Sequence, residues 1–467
     1  MRSVSTWAGA WLLAAVLAAG SALAQDAAAE AGDATAEAPA GTSGAEISSP
    51  QVRGAKQGIG IALSDDGRSR LHLTLDVGAG FDTNPYSVPF EDATGFAGDI
   101  VTRVRPGIDI TYPGSLIAFD AGLFVDYGFL PGLSGAPPEF LLFQSAAEAG
   151  LEVNRGGMFS FALGDKFNFS RDPGVVTLGS EFTRLNNALN AGIGFRPGGG
   201  TLSFKLGYTF GFEKWFDFFD DAGPLVQAGA LDQMAHYGTL RADWRFLPRT
   251  GAFLQLQGGV HMYPFNGTNP TSFPIGVLLG VMGQFTPKIS GLASIGYQNP
   301  LVYDTDTAGN LGIQTAAIIG AVGQAEIRWA IGPTTQLAGG FKREIQPTPL
   351  YQYAENNRFY LAFNQAIGAK FVLGLNSGFS ILQFGTEQPF GGQNLTTVPG
   401  GGNRLDTHLD VRADLAYYMF DWLSFGIVND LDWRYSNAES SDTFGGGGGV
   451  NLSFLSNETL LLASLHY

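Results

Sequence analysis

The stretch Leu405-Asp406-Thr407-His408-Leu409-Asp410-Val411-Arg412-Ala413-Asp414-Leu415-Ala416-Tyr417 decides the fold. Leu405, Thr407, Leu409, Val411, Ala413, Leu415 and Tyr417 fall on one side. Asp406, His408, Asp410, Arg412 and Asp414 fall on the other. Successive side chains of a β-strand point to opposite faces, so this is a strand with one apolar wall and one charged wall. The alternation begins near Leu71 and continues, broken by turns, almost to Tyr467.

Other stretches repeat it. Leu71, Leu73, Leu75, Val77, Ala79 and Phe81 alternate with His72, Thr74 and Asp76. Val104, Ile108, Ile110 and Tyr112 alternate with Arg103, Arg105 and Asp109. Leu240, Ala242, Trp244 and Phe246 oppose Thr239, Arg241, Asp243 and Arg245. Leu423, Phe425, Ile427, Leu431, Trp433 and Tyr435 oppose Asp430, Asp432 and Arg434. Long strands of this kind are explained by an apolar wall facing lipid, a charged wall facing a wet lumen, and a sheet closed into a barrel. One charge on the lipid wall costs ~2–4 kcal/mol at mid-membrane, so the charged side is the lumen. A water-soluble sandwich also alternates, but its strands average nearer ~5–6 residues and its outer face is polar. Inward charges that merely fill a closed lumen are a second alternative. About eighteen strands make a lumen too wide for that, which leaves a channel or a plugged pore. The inward set mixes signs with a modest excess of acids, so it indicates neither a pure anion selector nor a pure cation selector.

Met1 to Ala24 has the parts of a secretory signal peptide: Arg2, the apolar Trp7–Leu17, and Ala22-Leu23-Ala24 before Gln25. The apolar run is short of the ~20 residues that a spanning helix needs. The chain has no cysteine, so it carries neither disulfides nor an acylated N-terminal Cys. Mean hydropathy of +0.08 suits a barrel in which half of every strand is polar. The 66 Gly and 36 Phe suit tight turns and aromatic girdles. A net charge of −16 offers no basic face for nucleic acid. Residues 25–57, rich in Ala, Glu, Asp, Gly, Thr and Ser, are expected to form a disordered periplasmic tail, and 58–467 the barrel.

Short connections, as at Tyr112–Ser115, Asn154–Gly157, Leu247–Thr250 and Gly332–Thr334, alternate with long ones, as at Asp82–Gly98, Glu213–Ala230, Asn299–Leu311 and Gln388–Gly402. Outer-membrane barrels keep short turns in the periplasm and long loops outside. Hairpins drawn from these turns predict an all-β, up-and-down antiparallel barrel of about eighteen strands, within roughly 16–20. The eighteenth is expected at 442–454. Thr459–Tyr467 also alternates and is left either as a surplus or as a partner for Gly58–Leu63.

Gly78-Ala79-Gly80-Phe81-Asp82-Thr83-Asn84-Pro85 resembles the glycine, aromatic, Asp, x, Asn opening of outer-membrane β-barrel porins associated with exopolysaccharide systems. The hairpin Gly238–Thr250 resembles that group's strand–turn–strand unit. The likeness covers the barrel, and Leu455–Tyr467 lies beyond the group's pattern. It implies the outer-membrane step of Wzx/Wzy-type polysaccharide export, with a polysaccharide cargo and a periplasmic export protein as partners. The bilayer and the barrel assembly machinery are partners of any such barrel. A passive porin for small solutes fits the lumen equally well, and a structural, adhesive or hydrolytic barrel is a third class.

No catalytic constellation stands out, and no enzyme, metal or cofactor is expected. His72 and His408 face inward beside acids, as solvated wall residues do. Asp304, Asp306 and Asn310 lack the full calcium-loop pattern. The stretch Glu213–Asp221 mixes aromatics with acids, and reads either as a glycan slide or as an outer girdle in an acidic loop.

Overall fold

The computed structural model describes residues 60–64, 68–85, 98–132, 138–170, 182–217, 232–264, 271–305, 311–314, 320–348, 351–368, 370–385, 396–440 and 451–467. The expected signal peptide and tail lie outside these. Eighteen long strands form one sheet: β1 Arg70–Asp82, β2 Asp99–Pro113, β3 Ile117–Leu130, β4 Glu139–Val153, β5 Phe159–Ser170, β6 Phe182–Phe195, β7 Leu202–Asp217, β8 Gln233–Leu247, β9 Thr250–Met262, β10 Ile275–Thr286, β11 Ile289–Asn299, β12 Ala321–Gly332, β13 Thr335–Gln346, β14 Ala354–Ile367, β15 Phe371–Phe384, β16 Leu405–Phe420, β17 Leu423–Ser436 and β18 Phe454–His466. Each pairs antiparallel with its sequence neighbours, and β1 pairs with β18, from Thr74↔His466 to Asp82↔Glu458. The sheet is therefore a closed barrel with no free edge.

The strands run from 11 residues in β11 to 16 in β7 and β16. At the tilt usual for barrels, twelve such residues rise about 30 Å, enough for a bilayer core. The apolar wall faces out. Leu73, Val77, Phe81, Val104, Leu240, Leu256, Leu279, Ile295, Ile327, Leu361, Phe425 and Leu461 are all exposed large apolar residues on it. Aromatic pairs ring both ends of this band. Phe159–Phe195 and Phe371–Tyr417 sit at the short-turn end with ring centroids 4.9 Å apart. Phe129–Phe140 at 4.7 Å and Phe341–Phe359 at 4.8 Å sit toward the long-loop end. Amphipathic rings at membrane interfaces form such girdles.

The outer wall has polar exceptions. Asp165 and Asn187 point outward in the register of β5 and β6, and the Asn187 amide donates to the carboxylate at 2.8 Å. Asn429, Asn457 and Thr459 point outward on β17 and β18 and satisfy one another at 2.8 Å. Where polar groups meet hydrocarbon they pair, because an unpaired one is costly there.

Three expectations are corrected. The eighteenth strand is Phe454–His466 rather than the expected 442–454, of which 442–450 lie outside the described residues, and Thr459–Tyr467 is no surplus. Its partner is β1. Of the expected partner segment Gly58–Leu63, Gly58 and Ile59 lie outside the described residues, and Ile61 and Ala62 pair instead with Leu71 and Arg70. Finally, β7 runs to Asp217, so Glu213 and Trp215 are buried inward strand residues rather than loop residues. Phe218–Asp221 of that aromatic-acidic stretch, like Asp306 and Asn310, lie outside the described residues.

The Gly80-Phe81-Asp82-Thr83-Asn84 motif closes the barrel. Asp82 Oδ1 accepts from the Asn84 backbone N–H at 2.8 Å and from the Ser456 hydroxyl at 3.1 Å. Asn84 Nδ2 donates to the Leu455 carbonyl at 3.1 Å, and Thr83 Oγ1 accepts from the Asn457 N–H at 2.9 Å. Gly80 is required by close approach, since a Cβ there would lie 1.8 Å from the Thr459 carbonyl oxygen of β18.

Candidate functional site: the lumen wall

The strand register puts the even residues of β16 and the charges of its neighbours on the inner face. Val411↔Leu431 and Leu409↔Trp433 meet outside, while Arg412↔Asp430 and Asp410↔Asp432 meet inside. Two ion-pair groups result. In the first, Arg358 on β14 reaches Asp410 at 2.9 Å, His408 Nε2 reaches Asp432 at 2.6 Å, and Arg412 reaches Asp430 at 2.7 Å. In the second, Asp126 on β3 accepts from Arg103 at 3.0 Å and from Arg105 at 2.8 Å, and Arg103 also meets Glu458 at 2.6 Å. Arg103 rests on the Phe143 ring at 4.1 Å, a cation–π contact that holds it in place. Asp430 pairs in register with Glu458, so the two groups join into one charged arc from β14 through β18 to β3. Asp76 lies opposite Arg105, and Asp109 opposite His72, within the same arc. Asp414 faces Gly374, whose lack of a side chain leaves the carboxylate room.

This arc is wet at mid-height. Arg412 and Asp430 are 45% and 43% exposed, and Asp432 is also 43% exposed. The opposite arc, half a turn away on β9–β11, carries Gln255, Gln257, Gln284, Ser290, Ser294 and Gln298 on its inner face and far fewer charges. The lumen thus has a charged side and an amide side.

Other residues expected to line the lumen are placed differently. Asp406 and Arg434 point inward but are buried, and neither meets lumen water. Asp406 Oδ2 accepts from Arg404 Nη2 at 2.6 Å and from Arg434 Nη2 at 2.9 Å, and Asp406 Oδ1 accepts from the Ser436 hydroxyl at 2.5 Å. Arg404 stacks on Phe384 at 4.5 Å and reaches the Tyr351 hydroxyl at 3.4 Å. Burial opposes the Arg404 charge, but Asp406 beside it and these hydrogen bonds hold its pKa above the ordinary arginine value. The group is a structural tie at the long-loop end. Arg241 is also buried, bonded to Asp243 at 2.8 Å and lying 4.0 Å from the Phe253 ring centre. Arg245 is exposed near the short-turn end.

Coverage differs between the two ends. Inward residues at the long-loop end are closely covered: Val101, Leu130, Trp215, Tyr237, Tyr263, Leu382 and Phe384 are all buried. Part of the cover is visible. Thr396–Thr397 pairs with Glu439–Ser440, and Thr396 Oγ1 lies 2.7 Å from the Tyr351 hydroxyl. Inward groups lower down, such as Arg328 on β12 at 50% exposure, stay open. The lumen narrows toward the loop end.

Together these features define a membrane-spanning β-barrel with a hydrated, charge-lined interior. No protein-family model and no curated protein matches the chain. Among solved structures it is similar to OccK7 (OpdD) of Pseudomonas aeruginosa, at 11% identity over 85% of this chain and 98% of that one, with a TM-score of 0.39. It is similar to OccAB4 of Acinetobacter baumannii at 9% identity over 86% and 98%, TM-score 0.40. It is also similar to the FrpB iron transporter of Neisseria meningitidis at 8% identity over 85% and 81%, TM-score 0.36. The fold assignment rests on the strand pairing above.

Proposed function

We propose that this chain is an outer-membrane channel that lets small hydrophilic solutes diffuse through its lumen. The observation that carries the reading is the closed eighteen-stranded barrel with a solvated charged arc inside. Barrels of 16–18 strands enclose an aqueous channel, since side chains cannot fill a cylinder that wide. A passive pore needs no tight site. The inner face supports that, offering paired charges and amides that exchange hydrogen bonds with passing solutes.

Placement in an outer membrane, with short turns in the periplasm and long loops outside, belongs to the same proposal, as do export through residues 1–24 and insertion by the barrel assembly machinery. Polysaccharide export remains the narrower alternative, but no lumen-facing feature among the described residues favours a glycan chain over small solutes. No catalytic group is invoked. Planar-bilayer recording tests the reading: the purified protein is expected to give discrete, ohmic conductance steps. An inserted, folded protein that stays silent until a partner is added would refute the passive channel.

A further inference from the structure

The outer wall carries a crevice that solute passage does not use. It lies where β14 to β17 leave the apolar band at their loop ends, lined by Tyr353, Glu355, Gln383, Asn403 and Asn437 over a floor of Phe384 and Arg404, with a volume of about 360 Å³. Its depth follows from the alternation. Glu355 and Asn357 stand on the same face as Phe359, Gln383 as Ile381, Asn403 as Leu405, and Asn437 as Tyr435. Phe359, Leu405 and Tyr435 are exposed members of the apolar wall. Two residues along a tilted strand rise about 5 Å, so the crevice opens at headgroup depth, directly above the hydrocarbon.

Its groups are set for hydroxyls. The Gln383 and Asn403 side chains are exposed and make no hydrogen bond among the described residues. Glu355 lines the crevice and accepts from Arg343 through Oε2 at 2.7 Å. Asn437 is committed, accepting from the Leu405 N–H at 2.7 Å and donating to the Asn403 carbonyl at 3.2 Å, which fixes the shape of the rim. The Tyr353 ring packs on Gly385, where a Cβ would come within 2.6 Å of it. Burial, and then the Glu355 carboxylate, push the Tyr353 hydroxyl above the usual phenol value, so it remains a donor. Arg404 beneath is buried and paired with Asp406, which it shares with Arg434, so its guanidinium is turned away from the crevice's free groups. An aromatic face, two free amides and a carboxylate oxygen suit a sugar ring, whose hydroxyls both donate and accept.

We propose that this crevice binds a sugar of a glycolipid headgroup in the outer leaflet. The inference rests on the outward orientation of the long loops proposed above. The test uses the full-length barrel in detergent, with native mass spectrometry reading retained lipid. Three probes are compared: a deep-rough lipopolysaccharide, a palmitoyl-oleoyl phosphatidylethanolamine, and the lipid-free core oligosaccharide. The wild type is expected to retain the lipopolysaccharide at least tenfold more strongly than the phospholipid. A double variant, Gln383→Ala with Asn403→Ala, is expected to lose that preference while keeping its heat-modifiable fold and its conductance. Equal retention of both lipids, or a variant that holds lipopolysaccharide as the wild type does, overturns the proposal. Core oligosaccharide bound as tightly as the intact glycolipid overturns the lipid as the source and leaves the sugar chemistry standing. Failure of this inference leaves conductance intact, whereas failure of the channel reading shows as loss of conductance in the wild type.

Discussion

Replacing Asp406 with Asn is expected to loosen the loop end of the barrel far more than replacing Asp410 with Asn, although both point inward on β16. Asp406 is fully buried and serves Arg404, Arg434 and Ser436 together, with closest contacts of 2.6, 2.9 and 2.5 Å. An amide accepts through one oxygen and turns a donor toward a guanidinium, so two buried cations lose their counter-charge. Breaking a buried ion pair from one side costs about 3–5 kcal/mol. Asp410 is 38% exposed beside Arg358, and solvent screening reduces such a pair to roughly 0–1 kcal/mol. Urea unfolding of the refolded barrel, followed by tryptophan fluorescence, separates the two. With a urea slope of about 1–3 kcal/mol/M, Asp406→Asn should lower the midpoint by on the order of 1 M or more. Asp410→Asn should barely move it. Equal midpoints for the two variants would refute the assignment of Asp406 as a structural tie.

Further outcomes follow from the same two walls. Leu409→Arg combined with Val411→Arg puts two charges against hydrocarbon at a cost of about 4–8 kcal/mol, so the heat-modifiable folded band should vanish on a gel, and normal folding would mean the walls are reversed. Gly80→Ala drives a Cβ to 1.8 Å from the Thr459 carbonyl oxygen, whereas at Gly78 the nearest atom is the movable end of Leu462 and the nearest backbone atom, the Leu461 carbonyl oxygen, is 3.0 Å away. The first should therefore block closure of β1 on β18 and the second should be tolerated, with the folded fraction on the same gel deciding; equal yields would contradict the clasp. Asp410→Asn with Asp414→Asn removes two carboxylates from an arc in which acids outnumber arginines. The reversal potential in a salt gradient should shift toward anion preference, and an unchanged potential would remove these residues from the ion path.

Much of this architecture is legible in the sequence because strand alternation is a period-two signal that needs no tertiary information. Leu405–Tyr417 states its two walls outright, and the partners observed for Asp410, Arg412, Asp430 and Asp432 all lie on the face that alternation gave them. Alternation fails in two specific ways. It gives the face but not the height along a strand. Asp406 therefore looks like Asp410, although it sits one residue into β16, where Tyr351, Phe384 and Arg404 close over it. Arg404 lies just before the strand, where no pattern marks it. Alternation also carries nothing through glycine. Gly445–Gly449 has no side chains to show a face, so the pattern places the final strand one element too early and does not mark Glu458, the partner of Arg103. The charged arc itself depends on which strands become neighbours. Arg103 and Glu458 are 355 residues apart and meet only because the first and last strands close the ring.

Ionic current through single barrels carrying one introduced cysteine distinguishes the two walls, and the cysteine-free chain makes the modified position unambiguous. Arg412→Cys and Val411→Cys would be treated in a planar bilayer with a negatively charged methanethiosulfonate reagent. Modification at position 412 is predicted to step the current within the recording, because that side chain is 45% exposed to the lumen. Position 411 faces lipid and its current should not change. A current step at 411 with none at 412, or no current in either variant when both are folded, would contradict a lumen-lined channel.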